Sequence, residues 1–519
     1  MIKNIVYKLF VLSFCLLSCS EVAKNDKAKD NSISQIAKKL NVLLIIADDL
    51  NCDLGVYGNR VVKTPNIDRL AKRGVLFENA HSQYPWCGPS RSSFMTGMYT
   101  NQTKITRNNM NIRNSVPDVI TLGQRFRQQG YQSVRIGKIF HYDNPSSIGT
   151  SGNDDIYSWD QTVNPYGRDK IEEYKINTLV PRKYGAILSW LATDGKDEEQ
   201  TDGIAASEAI EKLDDFANRE IPFFLAVGFF RPHTPFVAPK KYFDLYEREK
   251  IEIPEISSDY LATLPGPAVK SIRAKKSQLN LEKEQAQEIK EAYYATISFV
   301  DAQVGRILDQ LESSGLDKNT IVVFTSDHGF HLGEHGHWQK NTLFENATRI
   351  PLIISAPTLE NNGVRSISPV ELIDLYPTLM DLTNINTPEH VVGKSLQPIM
   401  KNVNASVRES ALTRWRKGYS IKTKRYRLTK WGSNGELGYE LYDHKNDKKE
   451  LINLASNQDY HEVMDSLKVL IEQRIADASI KPKGLGRQFE NAKPMYKAKN
   501  ITFGDTHEIN GKINYFKNK

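Results

Sequence analysis

Cysteine is scarce: 519 residues contain four, of which Cys15 and Cys19 lie near the N-terminus and only Cys52 and Cys87 in the body. That excludes a disulfide-stapled scaffold. The body is left with one conceivable bridge, Cys52–Cys87, or with two free thiols. Long apolar runs are also missing, since Leu9 to Leu17 is too short to cross a bilayer as a helix. No internal repeat or low-complexity tract appears, and a hydrophobic fraction of 39% with 25% charged residues describes a soluble globular protein. Charge of one sign is not dominant either. Sixty-nine cations against 62 anions give +7, which can help attract a polyanion but identifies none and does not point to nucleic acid.

What is present begins with the N-terminus. Lys3 and Lys8 precede the apolar run, as in a secretory signal, and Leu16-Leu17-Ser18-Cys19 resembles a bacterial lipobox. Residues 1–18 are then expected to be removed, Cys19 to carry a lipid, and 19–40 to act as a polar tether. This predicts a periplasmic or cell-surface lipoprotein of a Gram-negative bacterium, attached to the membrane only through that lipid; ordinary cleavage and release is the alternative.

The remaining length suits a large domain, 41–405, a smaller one, 406–485, and a basic tail, 486–519. Asn41 to Ala47 (NVLLIIA) is an unbroken apolar run of the kind buried on both faces, and Phe223 to Val227 and Thr320 to Thr325 resemble it. Helical patterns separate them, over Thr64 to Arg73, Val119 to Gln129, Ala205 to Asn218 and Leu281 to Ser313, with a short strand at Gln132 to Ile136. Strands alternating with helices predict an α/β fold with a mostly parallel central sheet covered on both sides. From about Arg408 the texture changes to short polar strands, Ser420 to Lys424, Tyr426 to Trp431 and Glu440 to Asp443, which predict a small antiparallel subdomain.

Polar residues gather where these strands end, the usual place for ligands in open parallel sheets. Asp48 and Asp49 end the first strand, Asp327 and His328 follow Thr320 to Thr325, and His233 follows Phe223 to Val227. An Asp-Asp pair alone is commonly a cap or a solvated turn. With Asp327 and His328 at a second strand end it becomes a candidate site for a hard divalent cation, calcium first, because bare carboxylates at close range repel. Lys138, His141 and Lys340 also lie beyond predicted strands at irregular spacing; with Arg91 they would clamp a tetrahedral anion and move protons near neutral pH. Cys87-Gly88-Pro89-Ser90-Arg91 puts a thiol beside a turn-forming Gly-Pro pair, which suits a nucleophile at a helix start.

Together these residues resemble the formylglycine-dependent sulfatases of the alkaline-phosphatase-like superfamily, and most closely the iduronate-2-sulfatase-like branch. The carriers are the C-x-P-S-R signature at 87–91, with Ala47-Asp48-Asp49-Leu50, Thr64-Pro65-Asn66-Ile67-Asp68, Gly137-Lys138-Ile139-Phe140-His141, Arg231-Pro232-His233-Thr234-Pro235-Phe236 and Thr325-Ser326-Asp327-His328-Gly329. The resemblance runs from Asn41 to about Pro357 and resumes at Glu440-Leu441-Tyr442-Asp443. It implies an alkaline-phosphatase-like sandwich and a small C-terminal α+β subdomain. It further implies that a maturation enzyme oxidises Cys87 to formylglycine, whose hydrate attacks sulfur, its second hydroxyl providing the exit for sulfate. Calcium would be held by Asp48, Asp49, Asp327, His328 and the modified Cys87. Arg91 would hold the diol, Lys138 and Lys340 would neutralise the sulfate, His233 would donate a hydrogen bond or a proton toward the leaving oxygen, and His141 would take the proton from the remaining hydroxyl.

Met98 departs from the family's usual basic residue after Thr-Gly, and His328 replaces the asparagine common outside the iduronate-like branch. The substrate implied is a sulfated saccharide, such as a 2-O-sulfated uronate of an algal or animal polysaccharide, with specificity expected in Tyr142 to Gln200 and the C-terminal subdomain. A phosphatase or phosphonate hydrolase of the same superfamily, and a catalytically silent glycan-binding lipoprotein, are the alternatives.

Overall fold

The computed structural model describes residues 39–257, 259–360 and 362–492, with the paired strands Thr506–Ile509 and Lys512–Tyr515. The expected signal segment, Cys19 with its expected lipid, the expected tether up to Lys38 and most of the basic tail lie outside the described residues. Asn41–Ala47 (β1), Val75–Phe77 (β2), Gln132–Gly137 (β3), Gln161–Val163 (β4), Phe223–Phe229 (β5), Thr320–Ser326 (β6), Leu352–Ser355 (β7) and Val364–Ser366 (β8) form one sheet in the order β8-β2-β7-β6-β1-β5-β3-β4. Within it only β7 runs against its neighbours.

The side chains of β1 show why its sequence is apolar without alternation. Leu43, Ile45 and Ala47 enter one core, beneath helices Thr201–Ala217 and Lys283–Ser313, through Ala205, Leu213, Ile297 and Val304. Val42, Leu44 and Ile46 enter the other, against Phe94 and Met95 of helix Cys87–Thr96 and Leu375 and Leu379 of helix Leu375–Leu382. A strand with period two and helices on both faces has no side left for polar residues until it ends. The polar residues therefore cluster at the carboxyl edge.

Two glycines let that edge close up. Gly137 ends β3 at φ +69°, and a Cβ placed there would lie 2.1 Å from the Gly228 carbonyl oxygen on β5; one on Gly228 would lie 1.9 Å from the Lys138 carbonyl oxygen. Gly137→Ala is expected to combine a left-handed backbone penalty with this clash, costing about 2 kcal/mol or more and displacing Lys138. Urea unfolding checks this; a midpoint equal to the parent's would contradict it.

A second, antiparallel sheet comprises Ala411–Trp415, Gly418–Lys422, Tyr426–Trp431 and Tyr439–Asp443, with helix His461–Ser479 against it. It reaches the larger core through Arg408, which bonds Glu371 at 2.5 Å and also Asp374, and through Trp415, packed edge-on against Tyr84 and Trp86. Trp86 immediately precedes Cys87, so this sheet braces the entry to the nucleophile helix. Among the described residues no helix is long and apolar enough to cross a membrane.

Candidate active site

Cys87 is the first residue of its ten-residue helix, and Trp86 before it is extended, at φ −158° and ψ 135°. The Gly88 amide donates to Asn108 Oδ1 at 2.9 Å, and a Cβ on Gly88 would lie 2.8 Å from the Asn108 Cα, which explains a glycine after the cysteine. Both body cysteines are free thiols, so the Cys52–Cys87 bridge does not form. Around the Cys87 sulfur stand His328 Nε2 at 3.3 Å, Lys340 Nζ at 3.5 Å and Asp49 Oδ1 at 3.7 Å.

Asp48 and Asp49 leave β1 in succession and would face opposite ways if the strand continued. Instead Asp49 takes φ 63°, a left-handed conformation unusual for aspartate, and both carboxylates join the same cluster. The Asp49 amide donates to Asp327 Oδ1 at 3.1 Å, and Tyr293 donates its hydroxyl to the Asp49 carbonyl at 2.8 Å. Ser90 of the signature donates to the Asp327 carbonyl at 2.5 Å, tying the helix start to the end of β6.

Three carboxylates buried to 0% exposure are matched by three cations. Arg91 donates through Nη2 to Asp48 at 2.8 Å, through Nε to Asp327 at 2.9 Å, and through Nη1 to the Lys138 and Ile139 carbonyls at 2.7 and 2.8 Å. Four of its five N–H groups are thus committed. Lys138 Nζ lies 2.5 Å from Asp48 Oδ2, and Lys340 Nζ lies 2.5 and 2.6 Å from the two oxygens of Asp49. Burial raises the Asp48 carboxyl, but Lys138 and Arg91 outweigh it and hold it well below the usual carboxylate range. Burial likewise opposes the Lys340 charge, and Asp49 more than restores it.

Both predicted proton carriers face this cluster. His141 is nearly buried; its Nε2 meets Asp143 at 3.2 Å, while its Nδ1 is buried with no partner among the described residues. Burial pushes the imidazole down to about 4, so it is neutral at pH 7 and able to accept a proton. His233 places Nε2 3.7 Å from Asp49 Oδ2 and Nδ1 2.6 Å from the Thr234 carbonyl, which assigns the ring hydrogen to Nδ1. Burial and the Lys340 charge keep it neutral, so it must first take up a proton to give one to a leaving oxygen. Its loop is anchored by Arg231, whose guanidinium bonds Asp169 at 2.7 Å and whose amide bonds Asp202 at 2.8 Å.

Of the site residues, His141, His233 and Lys340 line a cleft of about 850 Å³. Asp143 to Asn153 and Tyr184 to Ala186 supply much of the wall, within the insertion where specificity was expected. Trp86, Arg107, Asn108, Lys275, Gln339 and Asn341 also line it and carried no sequence signal of their own. Among the described residues, none of the C-terminal subdomain borders it. Gln339 and Asn341 flank Lys340 at φ 79° and 78°, and these two left-handed non-glycine residues were a structural clue invisible in sequence.

The donor set fits a metal. Asp48, Asp49, Cys87 and His233 form one group of ligand atoms lying within 4.8 Å of one another, and Cys87, Asp327 and His328 form a second that shares the residue-87 side chain. Three of the six residues in these groups are aspartates, whose carboxylate oxygens favour a hard divalent cation. A third group, Glu345, His444 and Glu450, is different, because Arg427 bonds both glutamates, Glu450 at 2.5 Å, and completes an internal ion-pair network.

Comparisons with known proteins converge on this geometry. The family model Sulfatase matches residues 40–385, and one described as N-sulphoglucosamine sulphohydrolase, C-terminal, matches 333–477. A protein named Sulfatase from Formosa agariphila is 35% identical over 475 residues, covering 89% of this chain and 90% of that protein. Iduronate 2-sulfatase of Homo sapiens is 34% identical over 414 residues, covering 72% and 74%. The solved phosphonate monoester hydrolase of Agrobacterium radiobacter superposes with a TM-score of 0.72 at 21% identity, covering 85% of this chain and 96% of that one, a likeness of fold. With the family matched over most of its length and the signature cysteine seated among acids and cations at the sheet's carboxyl edge, the chain belongs to the sulfatase family, sulfuric ester hydrolases of the alkaline-phosphatase-like fold.

Proposed function

We propose that the protein is an exported sulfatase that removes a sulfate ester from a sulfated polysaccharide, specifically the 2-O-sulfate of a uronic acid or closely related sugar, with Cys87 oxidised to formylglycine by a separate maturation enzyme. The observation that carries this reading is the position of Cys87: at a helix start, buried, and enclosed by Asp49, His328 and Lys340, the last of which also lines the neighbouring cleft. Burial pushes the unmodified thiol well above its usual range, so a thiolate nucleophile is disfavoured and oxidation of the side chain gives the position a use. The uronate part rests on the similarity to iduronate 2-sulfatase, and export with a lipid on Cys19 rests on the N-terminal pattern.

Calcium, held by Asp48, Asp49, Asp327, His328 and the side chain at 87, would lower the pKa of the attacking hydroxyl and polarise a sulfate oxygen. The chain's own groups do the rest. Arg91 braces Asp48 and Asp327 from behind and would hold the hydroxyl of residue 87. Lys138 and Lys340 balance the charge arriving with the sulfate. His233, once protonated, gives its proton to the departing alcohol oxygen. Neutral His141 accepts the proton of the second hydroxyl, which expels sulfate and regenerates the aldehyde.

Release of inorganic sulfate from 2-O-sulfated hexuronate oligosaccharides tests the proposal. Release should cease on treatment with a chelator and return with added calcium. Turnover of aryl sulfates alone would overturn the carbohydrate assignment, and faster turnover of a phosphonate monoester than of any sulfate ester would favour the phosphonate hydrolase reading, which the fold likeness raises.

A further inference from the structure

The cations of this site divide into two kinds. Arg91, Lys138 and Lys340 are each matched to a buried carboxylate. Lys275, also on the cleft wall, is not: its Nζ donates to the Ala186 carbonyl at 2.9 Å and to Gln339 Oε1, both uncharged, and no carboxylate pairs with it among the described residues. Gln339 in turn donates to the Ala186 carbonyl at 3.2 Å, so three elements hold the ammonium at one place, with its third N–H uncommitted. Arg107 on the same wall has no side-chain partner among the described residues, and the acid there, Asp143, bonds His141. A positioned cation without a counter-charge costs free energy in the empty protein. Burial, with the Lys340 charge added, pushes Lys275 down to about 7, which a bound anion would reverse.

We propose that the cleft contains a subsite for a second anion of the substrate, the carboxylate of the sugar that carries the scissile sulfate, and that Lys275 is the cation that pairs with it. The inference deepens the sulfatase reading above and rests on it for the identity of the sugar. It differs from a structural role for Lys275, that of tying Ala186 to Gln339, because that role is indifferent to the charge on the substrate.

Two saccharides separate these roles: a 2-O-sulfated hexuronate disaccharide and its carboxyl-reduced counterpart, identical except for the missing charge. The parent should show a kcat/KM ratio favouring the uronate, and Lys275→Met should lower that ratio roughly 10- to 100-fold, the scale of one hydrogen-bonded charge pair. Lys275→Arg should recover most of it. A parent ratio near one, or a Lys275→Met protein that slows on both saccharides equally, overturns the subsite. Calorimetric titration of the same pair into Cys87→Ala protein reads the subsite without turnover, the uronate binding tighter unless Lys275 is also replaced. If that binding preference is found while the parent releases sulfate from neither saccharide, the hydrolase reading fails and the subsite stands.

Discussion

Cys87→Ala is expected to abolish sulfate ester hydrolysis, lowering kcat by roughly four orders of magnitude or more, as removal of a covalent nucleophile does. The fold should survive, because the side chain is small, sits at a helix start and makes only long contacts, the shortest being 3.3 Å to His328. Circular dichroism and urea unfolding close to the parent's, with sulfate release lost, would meet both expectations. No neighbour can substitute: His141 has no residue-87 hydroxyl to deprotonate once position 87 is bare, and Lys340 is held against Asp49.

Arg91→Ala carries the largest expected effect on stability. It strips Asp48 and Asp327, both fully buried, of a shared partner and leaves the Lys138 and Ile139 carbonyls without their donor. Removing one member of a buried ion pair costs about 3–5 kcal/mol, because the remaining charge stays out of water. Asp48 keeps Lys138, but Asp327 loses its one Arg or Lys partner among the described residues, so urea unfolding should shift by about that much. Arg91→Lys should recover little, since one ammonium cannot span two carboxylates and two carbonyls. An unfolding midpoint for Arg91→Ala matching the parent's would show that the acids are held apart by something else.

The strands that build the central sheet's middle were legible because burial on both faces demands unbroken apolar runs, and β1, β5 and β6 have them. The edge was not: β2 and β8 are three residues each and the antiparallel β7 four, too short for any period to register. In the C-terminal subdomain Tyr426–Trp431 matches its expected span, whereas Ala411–Trp415 and the helix His461–Ser479 gave no distinct signal, the latter burying only Met464, Leu467, Ile471 and Ala478. Helix Leu122–Gln128 is shorter than its pattern because Thr121 caps it, accepting from the Gln124 amide.

At the site, the residues at strand ends were readable because chemistry-bearing side chains interrupt apolar runs there, and the structure brings all ten candidates, Asp48, Asp49, Cys87, Arg91, Lys138, His141, His233, Asp327, His328 and Lys340, to one place. The cleft wall was not readable. Lys275, Arg107 and Gln339 come from unrelated loops, and only the fold's closure makes neighbours of residues 64 and 89 positions apart, as in the Lys275 bonds to Gln339 and Ala186.

The most direct measurement is mass spectrometry of the peptide containing Cys87, taken from protein produced in a host that carries the maturation machinery. The account requires a residue in which sulfur is replaced by oxygen and two hydrogens are lost, the aldehyde, at position 87 of the active protein. A fully active protein whose Cys87 remains an unmodified thiol would contradict it.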